Sequence, residues 1–127
     1  MSSWPGPITT ITLFAEDMQT TKAFYEKAFG LPVHYEDDAS AVFNFGNTLI
    51  NLLKTTEGRA LIDPAEVADP GAGARVQFTL TVDDVDATCA ELTERGVELL
   101  NGPMDRPWGI RTASFRDPAG HIWEIAK

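Results

Sequence analysis

A carboxylate near the end of the chain, Glu124, is the side chain in this sequence that is best suited to chemistry. A carboxylate can act as a general base on an acidic carbon, and donors such as Gln77 or Arg111 would then have to bear the developing negative charge. It can also recognise a cation or a hydrogen-bond donor on a ligand, which is the role that we favour. The alternative is structural: Glu124 would accept a hydrogen bond from Gln77 or Thr10.

The segment from Arg106 to Arg111 holds a single indole between two guanidinium groups. An indole at the mouth of a cleft offers a flat stacking surface and one hydrogen-bond donor, so Trp108 is a candidate ligand contact. An indole that merely plugs the end of a sheet explains the same residue equally well. Arg111 is a candidate partner for a ligand anion, although an arginine at this point in a strand is more often paired with an acidic neighbour.

The two histidines and the single cysteine add little to this set. His34 lies in a strand-like run, and we interpret His121 as a solvated or hydrogen-bonded residue of the turn that enters the last strand. Cys89 has no second cysteine with which to form a disulfide. Glu124 is therefore the candidate catalytic residue, if the protein is an enzyme.

An internal repeat must position these side chains. Residues 10–21 align with residues 77–88 at an offset of 67. Each copy begins with the alternating pattern of a strand and continues with helical spacing. Asp17 and Asp84 occupy equivalent places, where a carboxylate caps the first turn of a helix. Gly30 and Gly96 are expected to end the two helices.

Three strand-like runs follow each predicted helix, which gives the order βαβββ twice. We predict one domain over 1–127, with a first module at 8–54, a linker at 55–74 and a second module at 75–127. The linker is expected to contain a short helical turn around Pro64–Val67. The predicted strands after the helices are Val33–Glu36, Ala41–Phe45 and Thr48–Leu53, then Val97–Leu100, Ile110–Phe115 and Ile122–Ala126.

Alternation along the strands assigns side chains to the two sheet faces. Trp123 falls on the helix-facing side and is predicted to be core. The other face is polar, and a sheet with helices on one face must bury or use the other. We therefore predict an α+β fold with a curved mixed sheet, helices on its convex face and a concave ligand cleft. Four polar residues occupy equivalent places on the open face, namely Thr10, Asn51, Gln77 and Glu124.

Length, composition and charge bound the function classes. The 127 residues suffice for one core, and 43% of them are hydrophobic, as is typical of a folded domain. Ten basic residues against nineteen acidic ones give a net charge of −9, which disfavours nucleic acid as a partner. No apolar run approaches a membrane span and no secretory signal is visible, so we expect a cytoplasmic protein without a membrane partner. Trp4, before the first strand, is read as a subunit contact or a frayed residue.

Four separated motifs resemble the vicinal oxygen chelate superfamily, over roughly residues 8 to 126. They are the tandem βαβββ order, the segment 24–31 (FYEKAFGL), the segment 82–87 (VDDVDA) and the closing segment 117–125 (DPAGHIWEI). That superfamily includes glyoxalase I, methylmalonyl-CoA epimerase, extradiol dioxygenases, fosfomycin-resistance enzymes and bleomycin-resistance proteins. The segment around Trp108 is similar to one that flanks the ligand cleft of bleomycin-resistance proteins.

The resemblance also implies positions for a metal. In the metal-dependent members the first and last strands of each repeat carry the ligands, and the matching positions here look like Thr10, Asn51, Gln77 and Glu124. Only Glu124 is a usual ligand, and three neutral oxygens with one carboxylate make a poor transition-metal site. We therefore expect no bound transition metal and no other cofactor.

Two functions remain open on the sequence. The favoured function is sequestration of a small aromatic or cationic ligand, as in the antibiotic resistance that bleomycin-resistance proteins provide. The ligand-binding residues would then be Thr10, Asn51, Gln77, Trp108, Arg111 and Glu124. The second is a lyase, isomerase or dioxygenase of the same superfamily that uses Glu124. Since relatives of this fold commonly pair to complete two clefts, we also expect a homodimer.

Overall fold

Each half of the chain forms its own four-stranded sheet in the computed structural model, which describes residues 5–127. The strand order is β1-β4-β3-β2 in the first sheet and β5-β8-β7-β6 in the second. The pairs β1–β4 and β5–β8 are parallel and the other pairs are antiparallel, so both sheets are mixed. The strands are β1 (Thr10–Ala15), β2 (Tyr35–Glu36), β3 (Ser40–Asn44), β4 (Leu49–Lys54), β5 (Gln77–Thr81), β6 (Leu99–Asp105), β7 (Arg111–Arg116) and β8 (Ile122–Ala126).

The predicted α+β fold with tandem βαβββ modules is confirmed, with one correction. The strands form two separate sheets rather than one continuous curved sheet. Two strands, β2 and β6, differ from the prediction by more than one residue at a boundary. β2 shrinks to two residues after Pro32, and β6 continues through Gly102 and Pro103, a pair that is typical of a turn.

Both predicted helices begin at the aspartates that the repeat places in register. Helix α1 covers Met18–Phe29, and its N-cap Asp17 accepts a hydrogen bond from the Thr20 amide at 3.1 Å. Helix α3 covers Val85–Glu94, and Asp84 accepts one from the Ala87 amide at 3.0 Å. A side-chain acceptor at this position satisfies one of the free amides of the first turn. The same local chemistry thus starts the helix in each module.

The segment between the modules contains a helix that the sequence did not predict. Helix α2 covers Thr55–Ile62, directly after β4, and a short 3₁₀ helix follows at Pro70–Ala72. The predicted turn around Pro64–Val67 is wrong, since those residues are not helical. Gly58 of α2 packs so closely on Phe14 of β1 that a Cβ there would overlap the ring. This contact joins residues 44 positions apart in the chain, so local spacing does not report it.

The helix-facing sides of the two sheets share a single core. Trp123 of β8 is 2% exposed, as predicted, and its ring lies 4.8 Å from that of Phe29 in α1 and 5.2 Å from that of Phe45. Because the helix-facing sides meet in the middle, the open faces of the two sheets point outward from this common core.

Within residues 5–127, no helix is long and apolar enough to cross a membrane. Trp4, interpreted from the sequence as a subunit contact or a frayed residue, lies outside the described residues.

Candidate functional site

Glu124 lies on the open face of the second sheet, directly opposite Thr79 in the parallel pair β5–β8. The Thr79 hydroxyl donates to Oε1 of Glu124 at 2.9 Å. Gln77, the partner suggested by the sequence, pairs instead with Ile122, two residues toward the start of both strands. The carboxylate is half-buried, and no residue in the described chain donates a hydrogen bond to its second oxygen, Oε2. This oxygen remains available to a ligand.

The first sheet carries the equivalent pair at the same place. Asn51 lies opposite Thr12, and its Nδ2 donates to the Thr12 hydroxyl at 3.3 Å. Thr10 is exposed and pairs with Leu49, two residues before Asn51 in β4. Thr12 and Thr79 are themselves related by the offset of 67 residues. The repeat therefore places a threonine beside the amide in one module and beside the carboxylate in the other.

Asn51 has one oxygen atom without a hydrogen-bond partner. Its Oδ1 is buried, and no donor in residues 5–127 reaches it. A buried acceptor that loses its bond to water costs about 1–3 kcal/mol. A donor supplied from outside the described chain, by a ligand or another molecule, would remove this cost.

Two buried hydroxyls form the floor of the open face beside Glu124. Ser114 of β7 lies opposite Glu124, and its hydroxyl donates to Oδ1 of Asn101 in β6 at 2.9 Å. Thr112 lies two residues away on the same face of β7 and is 1% exposed. This side of the sheet is thus lined with oxygen atoms held in fixed positions.

Arg106, which the sequence reading did not select, covers Thr112 on this face. Its Nε donates to the Thr112 hydroxyl at 2.8 Å, and its guanidinium carbon lies 6.0 Å from the centroid of the Trp108 ring. Trp108 is 68% exposed, so it does not plug the end of the sheet. Arg106 is the first residue of the segment that ends at Arg111, so the sequence offered both arginines as candidates. Only the register of β6 against β7 shows which of the two lies on the open face.

Gly102 allows β6 to cross close enough to β7 for this arrangement. Its φ is +85°, and a Cβ would lie 2.5 Å from the carbonyl oxygen of Thr112 and 2.7 Å from Cα of Ala113. Only glycine tolerates both that backbone conformation and that approach. The register shifts on either side of Asn101 mark the same irregularity. The bulge thus lies directly before the turn that carries Arg106 and Trp108.

Arg111 is directed to the other side of the sheet. Its guanidinium donates to Asp86 in the first turn of α3 and to Asp105, with 3.0 Å contacts to each. These hydrogen bonds, that to Asp86 first, raise the pKa of Arg111. Since α3 packs on the helix-facing side, Arg111 does not join Glu124, and this placement disagrees with its selection as a ligand contact.

His121 belongs to a buried network between the modules. Its Nδ1 lies 2.8 Å from Oδ2 of Asp117, which also accepts from the Tyr25 hydroxyl at 2.7 Å. Trp123 donates in turn to the Tyr25 oxygen at 3.1 Å. Burial, followed by the Asp117 charge, raises the pKa of Tyr25, so the phenol stays a donor. The interpretation of His121 as a hydrogen-bonded turn residue agrees with this geometry, on the side of the sheet away from Glu124.

The family of the chain follows from comparison with known proteins. Residues 8–125 match the Glyoxalase/Bleomycin resistance protein/Dioxygenase superfamily. The chain belongs to this superfamily. It is also 33% identical to the uncharacterized protein YraH of Bacillus subtilis (strain 168) over 121 residues, 92% of this chain and 94% of that protein.

Solved structures of the superfamily share this fold. A glyoxalase/bleomycin resistance protein/dioxygenase from Nocardioides superposes with a TM-score of 0.87 at 23% identity, covering 98% of this chain and 85% of that one. The lactoylglutathione lyase from Agrobacterium tumefaciens gives a TM-score of 0.77 at 24% identity, covering 96% of this chain and 93% of that one. At these identities the likeness establishes the fold alone, because one fold hosts many chemistries.

A transition metal of the superfamily does not fit the residues present. The matching positions Thr10 and Asn51 lie on one sheet, and Gln77 and Glu124 lie on the other. They supply one carboxylate and three neutral oxygen donors, whereas such metals require imidazole, thiolate or further carboxylate ligands. No group of three or more His, Cys, Asp or Glu side chains in residues 5–127 is arranged to hold a metal ion. We therefore derive no chemistry through a metal at this site.

Proposed function

We propose that the protein binds a small planar organic molecule on the open face of its second sheet. The observation that carries this proposal is an exposed indole, Trp108, at one end of a face that also holds the half-buried carboxylate of Glu124. An indole supplies stacking area, and the carboxylate oxygen Oε2 accepts from a donor or cation on the ligand. The function is then sequestration rather than turnover.

We further propose that two copies of the chain complete the site. The open faces of one chain point apart, so each supplies only half of a cleft. β1 and β5 are sheet edges with no strand beside them in residues 5–127, and exposed edges favour pairing with another chain. The chain exposes 8021 Å², whereas a compact monomer of this mass exposes about 6,700 Å². An excess of this size matches the area that one partner of a stable dimer covers.

In such a dimer, the first sheet of one copy would face the second sheet of its partner. Asn51 would then approach the ligand held by Glu124 of the other copy. The unsatisfied Oδ1 of Asn51 would accept a hydrogen bond from that ligand. This arrangement removes the cost of the buried acceptor and gives the first module a function.

The alternative is an enzyme of the superfamily, a lyase, isomerase or dioxygenase, with Glu124 as general base. The free Oε2 of Glu124 favours it, and one structural relative is named a lactoylglutathione lyase. Proton abstraction would require a cation or donor to bear the developing charge. Arg106 is the nearest cationic group identified on this face, although its contact is with Thr112 rather than with Glu124.

Binding of a matched pair of planar probes tests the proposal. The cation 1-methylquinolinium and neutral quinoline have nearly the same shape, and both can be titrated by tryptophan fluorescence and calorimetry. Trp108→Ala should weaken both probes, and Glu124→Gln should weaken the cation more than the neutral one. Stacking and cation contacts of this kind contribute about 0.5–2 kcal/mol, which corresponds to a loss of roughly three- to thirtyfold.

Glu98→Gln is the matched control, because Glu98 is exposed before β6 and the substitution changes the net charge equally. If neither Trp108→Ala nor Glu124→Gln alters the affinity of a probe that binds, the site is wrong. If Glu124→Gln instead abolishes turnover of a substrate, the enzymatic alternative replaces sequestration.

A further inference from the structure

Arg106 differs from the other arginine of its segment in what it contacts. Arg111 is neutralised by Asp86 and Asp105. The Arg106 side chain makes no ion pair within residues 5–127, and its Nε donates to the neutral hydroxyl of Thr112. Both terminal nitrogens, Nη1 and Nη2, are therefore left without a protein acceptor in residues 5–127. They present four N–H donors in a planar fork, which is the geometry that binds a carboxylate or phosphate with two parallel bonds.

The guanidinium of Arg106 is held in place before any ligand arrives. Thr112 is buried, so the acceptor of the Nε bond is fixed by the sheet. The Trp108 ring lies beside the guanidinium, with its centroid 6.0 Å from the guanidinium carbon. An arginine fixed in this way loses less side-chain entropy when it binds an anion than a freely rotating one.

The distance to Glu124 constrains the ligand. Thr112, which anchors Arg106, lies two residues along β7 from Ser114, and Ser114 lies opposite Glu124 on the adjacent strand. With strand rises of about 3.4 Å and strand spacings of about 4.8 Å, Thr112 and Glu124 are separated by about 8 Å between Cα atoms. One small molecule can therefore contact the carboxylate at one end and the guanidinium at the other.

We propose that Arg106 determines the specificity of the site by binding an oxyanion carried by the ligand. This inference rests on the proposed function and narrows it. The ligand is a planar molecule with an oxyanion at one end, bound by Arg106 beside Trp108, and a hydrogen-bond donor or cation at the other, bound by Glu124. A planar cation without an anionic group would leave the Arg106 fork unpaired.

A set of three benzene derivatives tests this requirement. The first, 4-(aminomethyl)benzoate, has an ammonium group and a carboxylate at opposite ends of the ring. Its methyl ester keeps the ammonium group and the ring but has no anion, and benzylamine lacks the second group altogether. Calorimetric titration should give an affinity for the acid about tenfold above that for the ester, because a charge-assisted pair with arginine is lost.

Arg106→Gln should abolish the preference for the acid over the ester while leaving the affinity for the ester within about threefold. Arg111→Gln is the matched control: it removes the same charge from the same segment, and the preference should persist. Thr112→Val removes the acceptor that fixes Nε and should reduce the preference without eliminating it. Thermal unfolding of each variant identifies any loss of folded protein.

Three outcomes would overturn the inference. The first is that the parent protein binds acid and ester equally. The second is that Arg106→Gln weakens the binding of both probes by the same factor. The third is that Arg111→Gln also abolishes the preference for the acid. In each of these cases binding of the ester still supports the proposed function. If the parent binds neither these three probes nor the quinoline pair, the proposed function itself fails.

Discussion

The hydroxyl of Tyr25 in the first module donates to the buried carboxylate of Asp117 in the second, at 2.7 Å. The two residues are 92 positions apart in the chain, and Asp117 is 1% exposed. The amides of Ala119 and His121 donate to its other oxygen, at 3.0 and 2.9 Å. A buried charge is stable only when its oxygens are satisfied in this way. Each module therefore depends on the other for a complete set of polar contacts.

Tyr25→Phe removes one donor from this carboxylate and keeps the ring in the core. Hydrogen bonds to a charged group contribute about 1.5–3 kcal/mol, so we expect the free energy of unfolding in urea to fall by about 2 kcal/mol. Tyr35→Phe is the control, because Tyr35 is exposed and donates to Asp37 at the surface. It should change stability by less than about 0.5 kcal/mol. Equal effects of the two substitutions would contradict a special role for the buried pair.

Gly102→Ala should destabilise the protein more than Gly109→Ala does. Both glycines have a positive φ, +85° and +97°, which costs another residue about 1–2 kcal/mol. At Gly109 a Cβ meets open space, whereas at Gly102 it meets the backbone of β7. We expect a loss of about 1 kcal/mol at Gly109 and of about 3 kcal/mol or more at Gly102, measured by urea unfolding. A similar loss at both positions would show that the close approach of β6 to β7 is unimportant.

Local patterns in the sequence were sufficient to predict the modules but not the way in which they pack. The caps Asp17 and Asp84 and the alternation around Trp123 depend on neighbours in the chain, and the structure confirms them. Helix α2 brings Gly58 against Phe14 of β1, a contact between distant parts of the chain that no local pattern reports. The orientation of the open faces depends on which sides of the sheets share a core, a property of the whole molecule.

The candidate site was likewise predictable only where it depends on local patterns in the sequence. Alternation placed Asn51 and Glu124 on open faces, whereas the neighbours that contact them, Thr12 and Thr79, required the register of the parallel strands. Arg106 and Arg111 differ in side because Asp105 pairs with Arg111, which places the next residue, Arg106, on the opposite face with Thr112.

We expect the protein to form a homodimer in solution. Its open faces point apart and its edges β1 and β5 lack a neighbouring strand among the described residues, so a second copy would complete the sheets and the clefts. Light scattering at micromolar concentration should give about twice the chain mass of 13.9 kDa. A monomer throughout this range would restrict the site to the second sheet and remove Asn51 from it.

We also expect the parent protein to bind no stoichiometric transition metal. Of the four matching positions only Glu124 is anionic, and a lone carboxylate holds such ions weakly. Elemental analysis after incubation with zinc, nickel, iron or manganese and desalting should give far less than one equivalent per chain. One equivalent that is lost in Glu124→Gln would overturn the preference for sequestration over catalysis.

A double substitution that creates a zinc site tests whether the first sheet of one copy faces the second sheet of another. Thr10→His with Gln77→His places two imidazoles at the matching positions, and together with Glu124 they would provide three ligands for zinc. Because Thr10 lies on the first sheet, and Gln77 and Glu124 on the second, the three can converge only if the first sheet of one copy faces the second sheet of another. We therefore expect about one zinc per chain in the dimer of the double variant, and much weaker binding in either single variant.

Thr56→His with Thr93→His, on exposed positions of α2 and α3, controls for adventitious binding to surface histidines. If the double variant binds no more zinc than this control, the two open faces do not meet across the dimer, and the ligand site must be completed in another way.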